Sequence, residues 1–149
     1  MQRSVNRYTL IILLVFFWLP VGANNEVLFD LIKQAEEKAS EGHYADANAL
    51  LQQALTENPD SSLAYTRLGG VQLLQQHYRE GITSFQQAIS YDQANAQAFI
   101  GMAIGYLHLG QYNLARAALS EAERLDPDKK TQIDKLLTWL DQRSADRAY

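Results

Sequence analysis

The sequence predicts an all-α fold, an α-solenoid of three stacked helix pairs closed by a C-terminal capping helix and preceded by a signal peptide. Three observations predict it. Tyr44, Tyr78 and Tyr112 stand 34 residues apart, and several other columns keep the same step. Residues that stop helices recur at one phase of that period, at Pro59 and Pro127. Beyond the last of them, Ile133, Leu136, Leu137 and Leu140 form a single apolar stripe. Self-similarity at a period of about 20–50 residues is the signature of a repeat architecture.

The N-terminus reads differently from the rest. Arg3 and Arg7, without an acidic neighbour, precede a continuous apolar run from Leu10 to Leu19, and Pro20, Val21, Gly22 and Ala23 follow. A positive end, an apolar stretch and small residues are the order of a secretory signal peptide. Cleavage is expected after Ala23, leaving a short segment, 24–27, before the first repeat. The other reading is an uncleaved anchor, but the run from Tyr8 to Leu19 is shorter than the roughly 18–20 residues a spanning helix needs. Cationic residues before an apolar segment stay on the cytoplasmic side, so both readings place the remainder across the membrane. A soluble, periplasmic protein is the expectation, and an absence of Asn-x-Ser/Thr acceptors fits it.

The repeats themselves are expected at 28–61, 62–95 and 96–129. Their columns comprise Ala47, Gly81 and Ala115; Leu51, Phe85 and Leu119; Ala54, Ala88 and Ala122; and Gly42, Gln76 and Gly110. Small residues let two helix axes approach, and the tyrosine and Leu/Phe columns fill the space around the contact. Proline cannot continue a helix that needs its N–H, so Pro59 and Pro127 end their units. Asp60, Ser61, Asn95 and Asp128 are candidates to cap the helices that follow. Residues 130–149 hold the capping helix and a tail. Its apolar stripe should cover the open end of the third repeat, as solenoids require, with Trp139 at the stripe's edge.

These columns resemble the tetratricopeptide repeat, a 34-residue helix pair with Leu-Gly, Tyr, Ala, an aromatic, Ala and Pro at fixed offsets. The middle unit matches at Tyr65, Leu68, Gly69, Gly81, Phe85 and Ala88, and departs at Gln72 and Gln93. The third matches at Phe99, Met102, Ala103, Tyr106, Gly110, Tyr112, Ala115, Leu119, Ala122 and Pro127. The first has polar Gln34 and Lys38 at core columns. The resemblance covers Leu28 to Lys129 and implies a protein-binding module.

Composition narrows the chemistry. The chain has no cysteine, which removes disulfides, thiol catalysis and thiolate metal sites. Without Arg3 and Arg7, eleven basic residues face seventeen acidic ones, a net charge of −6, a poor balance for nucleic acid or anionic lipid. Glu26 to Asp60 carries eight acidic residues against Lys33 and Lys38, so the first repeat holds the excess. His43 and His77 share a turn position in successive repeats, about 9–10 Å apart by helix packing, too far for one metal ion. Adjacent Glu36 and Glu37 diverge on a helix and make no acid/base pair. No catalytic residue, metal site or cofactor is expected, and the protein is read as not an enzyme.

The segment from Ala96 to Leu109 lacks any charged residue. A helix apolar on nearly all sides is normally covered all round. The resemblance places Ile100, Ile104 and Leu107 on a concave groove, with Ile32, Glu36 and Ala39 and then Thr66, Gly70 and Leu73 at the matching positions, and His108 at its border. Two occupants fit: the chain's own Leu136, Leu137 and Leu140 folding across, or an apolar segment of a partner laid along the groove. Family members that clamp a terminal carboxylate use Lys and Asn there. Here those positions are Ile32, Glu36, Gly70, Gln97 and Gly101, and no cation is expected on the groove.

The function expected is that of a scaffold, adaptor or assembly factor for a cell-envelope complex, binding a protein or peptide partner through Ile32, Thr66, Gly70, Leu73, Ile100, Ile104, Leu107 and His108. A regulatory, non-catalytic subunit of an envelope enzyme is the alternative, and an enzyme a distant third. N-terminal sequencing of protein from the native host should find Asn24 first, in a soluble exported fraction; an intact Met1 on a membrane-bound chain would establish the anchor instead.

Overall fold

The computed structural model describes residues 23–146, with side chains described from 25 to 143. The expected signal peptide lies outside the described residues apart from Ala23. Among the described residues seven α-helices run in order: α1 (Ala23–Ser40), α2 (Tyr44–Glu57), α3 (Ser62–Leu74), α4 (Tyr78–Tyr91), α5 (Ala96–His108), α6 (Tyr112–Leu125) and α7 (Lys130–Asp146), with a 3-10 turn at Pro127–Lys129 before the last. No strand occurs among the described residues. Residues 24–27 belong to the first turns of α1 and form no separate segment.

Helices pack pairwise and each pair packs on the next, as the size alternation along the columns dictates. Ala47, Ala54, Ala88, Ala115 and Ala122 have no exposed surface, and neither do Leu51 and Leu119. Leu28, Leu31, Ile32 and Ala35 of α1 share a core with α2 and with Ala64, Leu68 and Val71 of α3. At the other end Ile133 and Leu140 of α7 are fully buried against Ala96, Ile100 and Leu107 of α5 and Ala115, Ala118 and Leu119 of α6. Leu136 and Leu137 of the same stripe are partly buried there.

Polar residues at core columns have local explanations. Gln34 and Lys38 lie on the outer side of α1, where Gln34 donates to Asp30 at 2.8 Å and Lys38 pairs with Glu41 at 3.1 Å. The matching Leu68 is buried because a preceding repeat covers it, and no repeat precedes α1 among the described residues. Gln72, where the family favours an aromatic, accepts a 2.6 Å bond from Ser84 Oγ, a position held by Ala118 in the third repeat beside Tyr106. One hydroxyl and one amide together replace a ring over a methyl group.

Turns follow a common scheme. In the 41–43, 75–77 and 109–111 turns, His43, His77 and Gln111 donate their backbone N–H to the carbonyls of Lys38, Gln72 and Tyr106, each at 2.9 Å. That closure puts the middle residue in the left-handed region, with φ of 82° at Gly42, 64° at Gln76 and 71° at Gly110. Between pairs, Ser61 Oγ accepts from Ala64 N–H at 3.1 Å and Asn95 Oδ1 from Ala98 N–H at 2.9 Å, capping α3 and α5. Asp60 and Asp128 have no such role. Asp126 instead accepts from the N–H of Asp128, at 3.2 Å, because the 3-10 turn begins one residue earlier at Pro127.

Asn95 does more than cap. Its Nδ2 donates to Ser62 Oγ at 2.8 Å and to Thr66 Oγ1 at 2.9 Å, while Ser62 Oγ donates to the Ala88 carbonyl at 2.9 Å. This node ties α3, α4 and α5 where Gln93 takes the place of proline. Asp92 Oδ1 shapes the same turn by accepting from the N–H of Ala94 at 3.0 Å.

Gln76 alone of the three left-handed turn residues is not glycine. Gln76→Gly should therefore stabilise the fold by about 0.5–1 kcal/mol, the order of the left-handed penalty of a side chain less the entropy cost of glycine. A chemical-denaturation midpoint that fell on this substitution would contradict the reading.

Candidate functional site

The first helix of each pair, α1, α3 and α5, lines the concave side. Between them lies a cleft of about 380 Å³. Ala35, Glu36 and Ala39 form one wall, Thr66, Arg67, Gly70, Leu73 and Leu74 the middle, and Gln97, Gly101 and Ile104 the other wall. Leu51 and Phe85, both buried, close the floor. The period places these side chains together, since Glu36, Gly70 and Ile104 share one column, and so do Ala39, Leu73 and Leu107.

Four of the eight residues expected on the groove line this cleft: Thr66, Gly70, Leu73 and Ile104. Ile32 and Ile100 do not. They are 4% and 0% exposed, Ile32 packed against α2 and α3, and Ile100 covered by Ile133 and Leu140 of α7. Both belong to core clusters and neither lines a cleft, so both are core residues. Leu107 and His108 line a second cleft, of about 320 Å³, with Ile104 on the same helix and Lys135, Leu136 and Trp139 of α7 opposite. Ile104 is part-exposed and common to both clefts. The C-terminal helix thus covers one end of the concave face and leaves the other open.

Glycine marks the two sides of α3 differently. A Cβ on Gly69 would stand 2.8 Å from the Phe85 ring, so its absence is a packing requirement. The neighbouring Gly70 faces open space, with nothing within 4 Å of where a Cβ would be. Its lack of a side chain keeps the cleft wide and serves no contact.

A cation does stand on the groove, against the expectation. Arg67 lines the cleft and its Nε donates to Glu36 Oε1 across the α1–α3 gap. It occupies the column of Lys33 and Gly101, and Gly101 is one of the positions where a carboxylate clamp would be sought, so that column in the second repeat is the signal that would have found it. Leu74, 56% exposed, follows Leu73 in the chain, and a helix face about 100° wide takes in both. The pair with Glu36 leaves the cleft close to neutral, with an apolar rim.

His43 and His77 are exposed residues at the starts of α2 and α4, without a side-chain capping bond. His43 Nδ1 lies 3.4 Å from Glu41. Glu41 is held below the usual carboxylate range, first by its hydrogen bond from Lys38 and then by that lysine's charge. No helix among the described residues is long and apolar enough to cross a membrane.

A family model described as "Tetratricopeptide repeat" matches residues 38–83 and 72–140. No curated protein sequence matches the chain. Among solved structures, the TPR2B domain of yeast Sti1 in its pHsp70 complex is 17% identical with a TM-score of 0.75, over 79% of this chain and 98% of that one. The Yersinia enterocolitica type III secretion chaperone SycD, in complex with a peptide of the translocator YopD, is 21% identical with a TM-score of 0.72, over 80% and 95%. The second TPR domain of human RPAP3 with an HSP70 peptide is 20% identical with a TM-score of 0.73, over 79% and 98%. At these identities the structural likeness concerns the fold. The family match, spanning more than half of the residues, agrees with the helix pairs and their columns: the chain belongs to the tetratricopeptide repeat family.

Proposed function

We propose that this chain is a non-catalytic adaptor or assembly factor that holds an apolar segment of a partner protein in the concave cleft between α1, α3 and α5. Gly70 carries the reading. Glycine inside a helix costs about 1 kcal/mol relative to alanine, and at Gly69, Gly81 and Gly105 nearby atoms at 2.8, 3.1 and 2.7 Å give a reason for it. At Gly70 no atom of the chain gives one. An opening kept at the expense of stability is what a ligand site requires, and the part-exposed Ile104 and exposed Leu74 beside it supply apolar anchors. The peptide complexes of yeast Sti1, human RPAP3 and SycD lend support by fold likeness alone.

The place of action in this proposal is the cell envelope, on the periplasmic side, and it rests on the charged, apolar and small-residue order of residues 1–23. A regulatory subunit of an envelope enzyme would use the same cleft. The two differ in consequence: a regulator changes its partner's turnover when added in purified form, and an adaptor changes only its assembly.

Two substitutions at one position test the cleft. Gly70→Ala should raise stability by about 0.5–1 kcal/mol in a denaturant titration, since a methyl group there meets nothing. Gly70→Arg, and separately Ile104→Glu, should retain helical circular dichroism yet lose the partner that wild-type protein co-purifies from a native envelope fraction, identified by mass spectrometry. Undiminished capture by both variants would remove the cleft from the account.

A further inference from the structure

We infer that the seam between α5 and α7 is an acid-reading extension of the concave site, which takes a large apolar side chain of the bound segment together with an aspartate or glutamate beside it. This rests on the concave face receiving a protein segment. Its first support is continuity, because Ile104 is a wall of both clefts. A segment leaving the first cleft over Ile104 meets Leu107, Leu136 and the ring of Trp139, an apolar hollow of about 320 Å³.

The second support is charge. The sequence as a whole is acidic, at −4, yet among the described residues the one charged residue that lines this hollow is a cation, Lys135. The described carboxylates of α6 and α7 pair away from it: Glu121 meets Arg124 at 2.6 Å, Glu123 and Asp134 share Lys130 at 2.7 and 3.4 Å, and Asp141 meets Arg116. Lys130 is held above the usual lysine range, mainly by its bond to Glu123. α5 carries no Asp, Glu, Lys or Arg at all. Lys135, on the wall of the hollow, takes part in none of these pairs. Arg143 lies over the Trp139 ring at 4.8 Å and adds positive charge one turn along.

His108 completes the rim. Its imidazole is stacked on Tyr78, with ring centroids 4.4 Å apart and planes within 4°, so its orientation is set by a neighbour outside the seam. A neutral imidazole has one N–H to donate. A lysine and an imidazole donor beside an aromatic wall favour a carboxylate flanked by an apolar side chain and disfavour a lysine or arginine at the same place.

The test uses the full chain, labelled with ¹⁵N, and three terminally blocked peptides: acetyl-Ala-Leu-Ala-Ala-Phe-Glu-Ala-amide and its counterparts with Gln or Lys replacing Glu. The readouts are the Trp139 indole N–H and the Gly70 amide in nuclear magnetic resonance titrations. The Glu peptide should move both signals and bind about fivefold more tightly than the Gln peptide, the order expected of one partly screened ion pair. The preference should vanish in about 1 M sodium chloride, where the screening length is about 3 Å. Lys135→Gln should erase it while the Gly70 shift persists, and Lys135→Glu should turn it toward the Lys peptide. Lys135 is exposed, so neither variant threatens the fold. Equal binding of the three peptides, or a Trp139 signal that stays still while Gly70 moves, would overturn the seam and spare the first cleft. An acid-dependent Trp139 shift without Gly70 would sink the first cleft and retain the seam. Silence at both signals overturns both, and a Trp139 shift produced by phosphatidylglycerol vesicles but not by the Glu peptide would assign the seam to a lipid surface.

Discussion

The ring of Phe85 lies against the backbones of two other helices, and the rest of the molecule is arranged around that contact. A Cβ on Gly69 of α3 or on Gly101 of α5 would enter the ring's space, so the large residue of α4 is accommodated only because its two neighbours have nothing there. Three helix axes are thereby drawn together in the middle of the solenoid. In the first and last pairs the same column holds a leucine, Leu51 and Leu119, each fully buried. Because the close approach is on the α4 side of α3, the opposite side of the same helix is left to curve inward and bear the cleft.

Polar contacts then hold what packing has set. Asn95 joins three helices from a four-residue turn, and Gln72 with Ser84 fills the place that Tyr106 and Ala118 hold in the third repeat. Buried polar groups satisfied in this way cost little and resist sliding of one helix past another. Surface ion pairs do less for the fold. Exposed pairs such as Lys33 with Glu37 at 3.9 Å have small individual effects on stability, and their consequence is the distribution of charge they leave behind.

The architecture was legible in the sequence because helix pairing depends on a column's size, and size is written in each residue. The same columns identified the concave positions Thr66, Gly70, Leu73 and Ile104. They misassigned Ile32 and Ile100, since a column states which way a side chain points and not what else covers it. The cover came from Leu28 and Leu68 around Ile32 and from α7 over Ile100. Arg67 was missed because its column was read as a groove position only at Gly101, and its partner Glu36 lies 31 positions away, outside the 34-residue step. The apolar stripe of α7 announced that it could fold across Ile104 and Leu107, but the hollow left between α5 and α7 was not legible, as α7 belongs to no repeat and its packing has no counterpart in the period.

The hydrogen bonds of Thr66 have a bearing on how wet the concave surface is. Its hydroxyl gives its proton to the Ser62 carbonyl at 2.8 Å and accepts from Asn95, so the donor is committed beneath the surface. By name this is a polar residue in the middle of the cleft. In chemical terms it can no longer donate to water, and what it has left to offer is chiefly a methyl group. Water resting there is held weakly and is readily displaced, which makes the middle of the cleft behave as a drier, more oil-like surface than its residue types imply.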